Sequence, residues 1–354
     1  MESNGAFTFM NSRIPLALFG AGWVVRAGYL SYLTQGPFDV VSIYDPNPKM
    51  VEELLPFLPH ARVENSEQSC FEGPARAALI ASPSPTHIDL SLRALRAGRH
   101  VLCEKPVAVR KSQVQELIRA EQDSSKRLVG AVVCRHRPDV QQWISWSARL
   151  DEIREINLAW IRAQGVPFPG SWHTKSSDGW TGVLADLGYH LADLAVAVLN
   201  RPINSVHCRS ARITSSGRGG GASWYGPDMP VKYDVDDRVE AVLEFDQVVI
   251  NLQVSWVDSL PGDVTQLAVT GNNEKVELKG LFGFSTQRRI AEQQCRLLRD
   301  GRVVEEKNFQ PGPQLHREAF GGVLEDFANV CRGAEPQVGL SQIFATTALI
   351  EALN

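Results

Sequence analysis

The feature that most constrains this chain is a short apolar run that stops at a pair of closely spaced glycines. Ile14–Phe19 is the apolar run, Gly20 and Gly22 follow it, and apolar residues then recur at helical spacing to Leu33. This order of strand, glycine turn and helix is typical of a dinucleotide-binding unit. The first glycine permits the tight turn, the second lets the backbone approach a pyrophosphate, and the helix N-terminus offers N–H groups to the anion.

The residues that open the helix depart from the usual glycine pattern. Trp23 and Val24 come directly after Gly22, and Val25 occupies the place of the third glycine. A larger side chain there predicts a wider contact between helix and strand, or a shifted start of the helix. We expect Trp23 and Val24 to contact the cofactor, because the first helical turn faces the phosphates.

The second predicted strand ends in an acidic residue. Phe38–Tyr44 is followed by Asp45, which lies 25 residues after Gly20. An acid at this place accepts hydrogen bonds from the adenosine ribose hydroxyls and would repel a 2′-phosphate, and Pro46–Pro48 contains no arginine to bind one. The sequence therefore predicts NAD rather than NADP as the cofactor. The alternative is an aspartate that opens a turn before a proline, a place that turns also favour.

The third predicted strand ends in a polar loop that contains prolines. Ala77–Ala81 is apolar, and it runs into a loop with Ser82, Pro83 and His87. The carboxyl ends of neighbouring parallel strands form the ligand cleft of a doubly wound sheet. We therefore expect Ser82, Pro83 and His87 to contact the cofactor. A histidine that caps a helix or stabilises the loop is the alternative for His87.

The fourth predicted strand, His100–Cys103, is followed by Glu104, Lys105 and Pro106. A lysine at this place is either a solvated surface amine or a partly buried cation that holds and transfers a proton. The tripeptide alone does not separate these alternatives. Its position after a strand of the nucleotide-binding sheet makes Glu104 and Lys105 candidates for cofactor contact.

A helical pattern in the second half carries a carboxylate and an imidazole on one face. From about Leu184 the pattern is helical, with Asp186 and His190 at i and i+4 and Asp193 near them at i+7. A carboxylate one turn from an imidazole orients the ring and raises its basicity, which suits a proton acceptor near neutral pH. A surface ion pair or a structural histidine is the alternative.

Composition limits the function classes. The chain has 354 residues, of which 44% are hydrophobic and 21% charged, enough for about two domains. The net charge of −4, with no basic cluster, argues against nucleic-acid binding. The six cysteines are widely spaced without a zinc-type pattern, so we expect reduced thiols and no metal. The N-terminus lacks a secretion signal and no apolar run is long enough to span a bilayer, which predicts a cytoplasmic protein.

Taken in order, five segments resemble the glucose-fructose oxidoreductase / inositol dehydrogenase / MocA (Gfo/Idh/MocA) family of NAD(P)-dependent oxidoreductases. These segments are Gly20–Gly22, Asp45, Ala81–His87, Ala97–Pro106 and Gly182–His190. The resemblance extends from about Ile14 to the last predicted helix, and the ordered set is more specific than any single segment.

The resemblance implies an α/β fold with two domains. Residues 1–134 would form an N-terminal Rossmann domain with a doubly wound parallel sheet. Residues 135–354 would form a C-terminal α/β domain built on a large, mostly antiparallel open sheet. One face of that sheet would carry the substrate pocket and the other would make oligomer contacts, so the resemblance implies a homo-oligomer, a dimer or a tetramer.

The resemblance also implies the catalytic groups. Lys105, Asp186 and His190 match the lysine, aspartate and histidine that surround the reacting carbinol in the family. His190 is the candidate general base, with Lys105 as the cation that stabilises the developing oxyanion, although the assignment of the base between them stays open. Asp186 would orient substrate hydroxyls. Lys105 is expected beside the nicotinamide and near His190.

The implied substrate is a small polyol, sugar, amino sugar or aminocyclitol that exchanges a hydride at a secondary hydroxyl or keto carbon. Trp172 and His173 are candidate substrate contacts, because an aromatic face packs on the apolar face of a sugar ring. An enzyme of elimination or hydrolysis at a glycoside, which recycles its NAD, is one alternative. A binding protein that senses NAD without catalysis is the other.

Several positions depart from the family or stay ambiguous. Trp180 lies where the family has consecutive glycines, which predicts an altered pocket. Residues 214–227 have the composition of a flexible loop, with aromatics that indicate a lid or an interface tip. Arg135 and Arg137 could touch cofactor or substrate, although a solvated loop is the favoured interpretation.

Overall fold

The computed structural model describes residues 13–167, 171–178, 182–203, 205–222, 230–285 and 292–353. The chain divides into two compact units, each built from separate segments. The first unit takes the chain up to Glu104, together with Glu116–Ala131 and Phe320–Gly339. The second takes Lys105–Gln115, Val132–Ala319 and the chain from Leu340 onward. The predicted boundary between residues 134 and 135 divides the chain once, and it stays a prediction.

The first unit contains a six-stranded parallel sheet in the order β3-β2-β1-β4-β5-β6. This is the strand order of a Rossmann fold, and it confirms the predicted fold class. The strands are β1 (Ile14–Phe19), β2 (Phe38–Tyr44), β3 (Arg62–Val63), β4 (Ala77–Ile80), β5 (His100–Glu104) and β6 (Leu128–Ala131). The central strands are buried on both faces, which explains their continuous apolar sequences.

Five α-helices among the described residues connect these strands. They are α1 (Leu30–Gln35), α2 (Pro48–Glu52), α3 (Glu67–Glu72), α4 (His87–Arg96) and α5 (Lys111–Ser124). A π-helical turn, Val25–Tyr29, precedes α1. It begins at the valine that replaces the third glycine, so the helix widens at the place where the sequence departs from the motif.

The second unit is organised around an eight-stranded sheet in the order β16-β15-β14-β13-β7-β12-β11-β8. All neighbouring strands pair antiparallel except β7 and β12, so the prediction of a mostly antiparallel sheet is confirmed. The strands are β7 (Glu155–Ile161), β8 (His207–Thr214), β11 (Arg238–Phe245), β12 (Val248–Ser255), β13 (Val264–Thr270), β14 (Glu274–Gly280), β15 (Gln293–Arg299) and β16 (Arg302–Phe309).

Helices pack on one face of this sheet. They include α6 (Pro138–Ser147) and α7 (Tyr189–Leu199). The last two helices of the chain are α8 (Gln314–Cys331) and α9 (Leu340–Glu351). Nearly every residue of α7 is buried, so it forms the core of the unit. In β11 and β12, buried residues alternate with half-exposed ones, which gives the sheet an apolar face and a polar face.

Part of the glycine-rich stretch is ordered as a ribbon. β9 (Arg218–Gly220) pairs antiparallel with β10 (Pro230–Lys232). A side chain at Gly219 would collide with Val257 and Val166, so close packing explains this glycine better than flexibility does. Residues 223–227 of the predicted lid lie outside the described residues.

Candidate active site

The glycine turn follows β1 and is shaped by the end of β4. Gly20 has a φ of +94°, and a Cβ at this position would lie 2.6 Å from the carbonyl oxygen of Ala81. Both observations exclude a larger residue, because the φ is unfavourable for L side chains and the neighbouring atoms are backbone. The turn therefore requires glycine at position 20.

Asp45 is hydrogen-bonded to this turn. The backbone N–H of Ala21 donates to Asp45 Oδ2 at 2.8 Å, and the N–H of Asn47 donates to Oδ1 at 2.8 Å. The structure thus brings the predicted ribose-binding acid to the predicted pyrophosphate turn. A Cβ on Gly22 would meet no described atom within 4 Å, so the backbone there is open to a ligand. These groups fit an adenine dinucleotide, whose phosphates need exposed backbone and whose ribose needs an acceptor.

The loop after β4 is held by its own side chains. The hydroxyls of Ser82 and Thr86 are 2.6 Å apart, and His87 Nε2 lies 2.8 Å from the carbonyl oxygen of Ser82. His87 is buried at the start of α4. These contacts match the loop-stabilising alternative, and cofactor contact by Ser82, Pro83 and His87 stays a prediction, as it does for Trp23 and Val24.

Glu104 is tied to the π-helical turn of the first unit. The Tyr29 hydroxyl donates to Glu104 Oε1 at 2.7 Å in the interior. Burial and the adjacent Glu104 carboxylate raise the pKa of Tyr29 well above its usual range. Glu104 therefore fixes the end of β5 to the helix after the glycine turn, and a direct contact with the cofactor stays a prediction.

Lys105 is partly buried and bonded to Asp186. Its Nζ donates to Asp186 Oδ1 at 3.0 Å and to the Asp186 backbone oxygen at 2.9 Å. The side chains of the pair are 12% and 15% exposed. The interpretation of Lys105 as a solvated surface amine is therefore wrong, and its place beside the nicotinamide stays a prediction.

Asp186 also contacts groups that the sequence did not indicate. Its Oδ2 accepts from Trp256 Nε1 at 2.9 Å and from an Arg162 guanidinium nitrogen at 3.4 Å. Burial by itself would raise the pKa of Asp186, but the Lys105 and Arg162 cations outweigh it and hold that pKa well below the usual range. Asp186 is thus a carboxylate at all ordinary pH values.

His190 lies four residues after Asp186 on the same helix. A π-helical turn, Leu184–Gly188, leads into α7, and His190 is 5% exposed. Burial and the Lys105 cation lower the pKa of His190 well below its usual range, although Asp186 acts in the opposite direction. The ring is therefore neutral at pH 7, and its Nδ1 has no hydrogen-bond partner among the described residues. A neutral imidazole with a free ring nitrogen can accept or relay a proton.

Trp172 and His173 form a short 3₁₀ turn with Thr174, and their rings stack with centroids 3.6 Å apart. Burial lowers the pKa of His173 to about 4, although the Asp186 carboxylate acts in the opposite direction. His173 is therefore also neutral and lies within electrostatic range of the Lys105–Asp186 pair. Contact of either ring with substrate stays a prediction, and Trp180 lies outside the described residues.

The helix that carries Asp186 and His190 begins at a fixed point. Gly182 has a φ of +84°, and a Cβ there would overlap the carboxylate of Asp236. That carboxylate accepts from the Leu184 N–H at 2.9 Å, and the Asp236 carbonyl oxygen accepts from the Val183 N–H at 2.9 Å. Asp236 therefore caps the helix from a distant part of the chain.

Arg135 and Arg137 are buried, so the interpretation as a solvated loop was wrong. Arg135 forms a two-pronged ion pair with Asp193, with N–O distances of 2.7 and 2.8 Å. Arg137 pairs with Asp139 at 2.8 Å, and neither side chain is exposed to solvent. A charge inside a protein is costly without a partner, and each arginine has one. Asp193 is therefore satisfied by Arg135 rather than by His190.

Sequence reasoning missed Arg162, Trp256 and Asp236. Arg162 follows β7, Trp256 follows β12 and Asp236 precedes β11. A single polar or aromatic residue at such a place carries no distinctive spacing. Among the described residues, no group of three or more His, Cys, Asp or Glu side chains is placed to hold a metal ion. Within those same residues, none of the helices has the length and apolar content needed to cross a bilayer.

Comparison with known proteins identifies the family of the chain. Residues 14–131 match the oxidoreductase family with an NAD-binding Rossmann fold, and residues 140–277 match the GFO/IDH/MocA C-terminal domain. The putative UDP-kanosamine synthase oxidoreductase subunit of Amycolatopsis mediterranei is 30% identical over 78% of this chain and 77% of its own length. The D-glucoside 3-dehydrogenase of Escherichia coli is 29% identical over 66% of this chain and 68% of its own length.

Solved structures share the fold. GenD2 from gentamicin A biosynthesis, in complex with NAD, has a TM-score of 0.76 at 18% identity, over 99% of this chain and 95% of its own. KijD10, a 3-ketoreductase from Actinomadura kijaniata in complex with NADP and TDP-benzene, has a TM-score of 0.75 at 17% identity, over 97% of both chains. With both domain matches and the 30% identical relative, the chain belongs to the Gfo/Idh/MocA family of NAD(P)-dependent sugar oxidoreductases.

Proposed function

We propose that this protein is an NAD-dependent dehydrogenase or reductase that acts on a secondary hydroxyl or keto carbon of a sugar, amino sugar or cyclitol. The observation that carries the proposal is the cluster of Lys105, Asp186 and His190. It combines an ammonium, a permanent carboxylate and a neutral buried imidazole. NAD, when bound, accepts or returns the hydride.

The residues of the second unit supply the proton chemistry. Oxidation of a carbinol requires removal of the hydroxyl proton, since an alkoxide expels hydride readily. His190 accepts this proton on its neutral imidazole ring, and the Lys105 ammonium stabilises the oxyanion as it develops. Asp186 holds the Lys105 ammonium in place through two hydrogen bonds. Which of His190 and Lys105 is the primary base is a question for the kinetics of their variants.

Asp45 supports NAD over NADP, because its carboxylate at the glycine turn would repel a 2′-phosphate. The relatives support a sugar ring as substrate. Several are named for position 3, such as D-glucoside 3-dehydrogenase and glucose-6-phosphate 3-dehydrogenase, so C3 of a hexose is the first carbon to test.

The test is incubation of the purified protein and NAD with glucosides, amino sugars, cyclitols and nucleotide sugars, while the NADH absorbance band and the products are followed. Net NADH together with a keto product is the expected result. A product without net NADH would replace the proposal with elimination or hydrolysis that recycles NAD. Tight NAD binding without turnover of any compound would replace it with an NAD-sensing protein.

We also propose that the polar face of the eight-stranded sheet contacts a second copy of the chain in a cytoplasmic homo-oligomer. That face carries half-exposed residues of both charges and amides, including Glu240, Asn251 and Gln253 in β11 and β12. Light scattering after size-exclusion chromatography tests the assembly. Glu240→Arg should weaken a dimer or tetramer, and a monomeric wild-type protein would contradict it.

A further inference from the structure

The two carboxylate oxygens of Asp186 have different partners. Oδ1 accepts from Lys105, whereas Oδ2 accepts from Trp256 and Arg162. A carboxylate that bonded only Lys105 could rotate about its terminal torsion, which is a broad and soft one. The hydrogen bonds from Trp256 and Arg162 to Oδ2 stop that rotation. These two residues therefore fix the position of Oδ1, the oxygen that accepts from Lys105.

Trp256 and Arg162 are themselves firmly held. Trp256 is completely buried at the end of β12, with the Tyr233 ring packed edge-on at a centroid distance of 6.1 Å. Arg162 follows β7, is 6% exposed, donates to the Gly165 carbonyl oxygen at 3.1 Å and lies 5.3 Å from the Trp160 ring centroid. Neither side chain can shift without disturbing the core, which makes them suitable anchors.

We propose that Trp256 and Arg162 are positioning residues, which act on the reacting centre by fixing Asp186 and, through Asp186, the Lys105 ammonium. The inference rests on the proposed function for its effect on turnover. A lysine has four flexible torsions, and a displacement of about 1 Å at a reacting group can lower a rate about 100-fold. Lys105 Nζ donates to two atoms of Asp186, the backbone oxygen and Oδ1. The position of Oδ1 depends on Trp256 and Arg162.

The two anchors differ in charge, and this separates their roles. Trp256 contributes a neutral N–H, whereas Arg162 adds a cation that acts on Asp186, His190 and His173. The other titratable groups that act on the same cluster are Lys105, the buried His316, which interacts with His190, Arg162 and Lys105, and, near Arg162, Asp263. Loss of Trp256 should therefore change geometry alone. Loss of Arg162 should change geometry and also raise the pKa of His190, since the Arg162 charge lowers it.

The experiment compares Trp256→Phe, Arg162→Gln and Arg162→Lys with the wild type and with Trp143→Phe. Trp143 is a fully buried tryptophan in α6 whose indole N–H has no hydrogen-bond partner among the described residues, so it controls for the loss of an indole. For Trp256→Phe we expect kcat to fall 10- to 100-fold with KM and the pH–rate profile unchanged. For Arg162→Gln we expect a similar fall, with the acidic limb of the profile moved to higher pH. Arg162→Lys should restore that limb.

Crystal structures of the same variants give a readout that does not depend on turnover. In Trp256→Phe the Asp186 carboxylate should be rotated and Oδ1 should no longer bond Lys105. An unmoved Asp186–Lys105 pair, or rates no lower than those of Trp143→Phe, would overturn the positioning role. If the wild type turns over no compound, the proposed function fails, and the variant structures still decide whether Trp256 and Arg162 hold the carboxylate.

Discussion

The glycine turn of the first unit and the Lys105 cluster of the second are built in opposite ways. The turn combines the backbone of Gly20 and Gly22, after β1, with one side chain, Asp45, from the end of the neighbouring strand β2. The cluster gathers Lys105, Arg162, Asp186 and Trp256 from separate segments and acts through charged and buried side chains. Loss of the Asp45 carboxylate from the turn should therefore cost less than loss of one charged member of the cluster, because the side chains of the cluster depend on one another.

Removal of the Lys105 ammonium should give the largest effect. In Lys105→Met the oxyanion loses its cation and Asp186 loses a partner, so we expect hydride transfer in a single turnover to slow about 1000-fold. His190→Asn should slow it to a comparable extent. Lys111→Met, at a partly exposed lysine on α5, is the control. Wild-type rates in both Lys105→Met and His190→Asn would contradict the catalytic assignment.

The start of the Asp186 helix should be the next most sensitive point. Gly182→Ala forces an unfavourable φ and pushes against the Asp236 cap, so the free energy of unfolding should fall by about 2 to 3 kcal/mol. Gly301→Ala is the matched control, because Gly301 has a φ of +75° but no described atom within 4 Å of a new Cβ. Urea unfolding measures both. Equal losses would show that the Asp236 contact contributes nothing.

Acid should destabilise the second unit through its buried histidines. Burial and the neighbouring Arg135 lower the pKa of His136 to about 4, whereas the unfolded chain has a value near 6.5. Between these values the unfolded state binds more protons, so stability is complete above pH 6.5 and falls as the pH drops. The expected loss from His136 between pH 7 and 5 is about 2 kcal/mol. His136→Gln should reduce the slope of unfolding free energy against pH, while His60→Gln, at an exposed position, should not.

Asp45→Asn should give the smallest effect. The amide keeps the size of the side chain but removes the charge that would repel a 2′-phosphate, so the ratio of kcat/KM for NAD over NADP should fall about tenfold. Steady-state kinetics with both cofactors measure it. A wild-type protein that already uses NADP as well as NAD would show that Asp45 does not discriminate.

The elements of the first unit could be predicted because their signals are local. The strands before Gly20, Asp45 and Lys105 are rich in apolar residues, and each is followed by a glycine turn or a polar loop. In the second unit the family resemblance implied a large, mostly antiparallel sheet, but the bounds of its single strands are less evident from the sequence. β16 is largely exposed and has little apolar alternation to reveal it.

Within the site, the sequence indicated residues but not their partners. The spacing of Asp186 and His190 predicts a shared face, and the family resemblance adds Lys105. Nothing local predicts that Trp256 and Arg162 hold the same carboxylate, because hydrogen bonds between distant segments depend on the register of the sheet. The same holds for Asp236 on the helix start and for Arg135 on Asp193.

The segment Phe320–Gly339 has a consequence for how this chain emerges from the ribosome. Its Phe320 ring fills the space beside Gly28, and the carbonyl oxygen of Val338 accepts a hydrogen bond from Gly130 in the edge strand β6. These contacts belong to the first unit, yet they are translated after almost all of the second. The first unit therefore cannot complete its packing until nearly the whole chain has been synthesised. A nascent chain stalled before Phe320 should expose Tyr29 and the edge of β6 to chaperones.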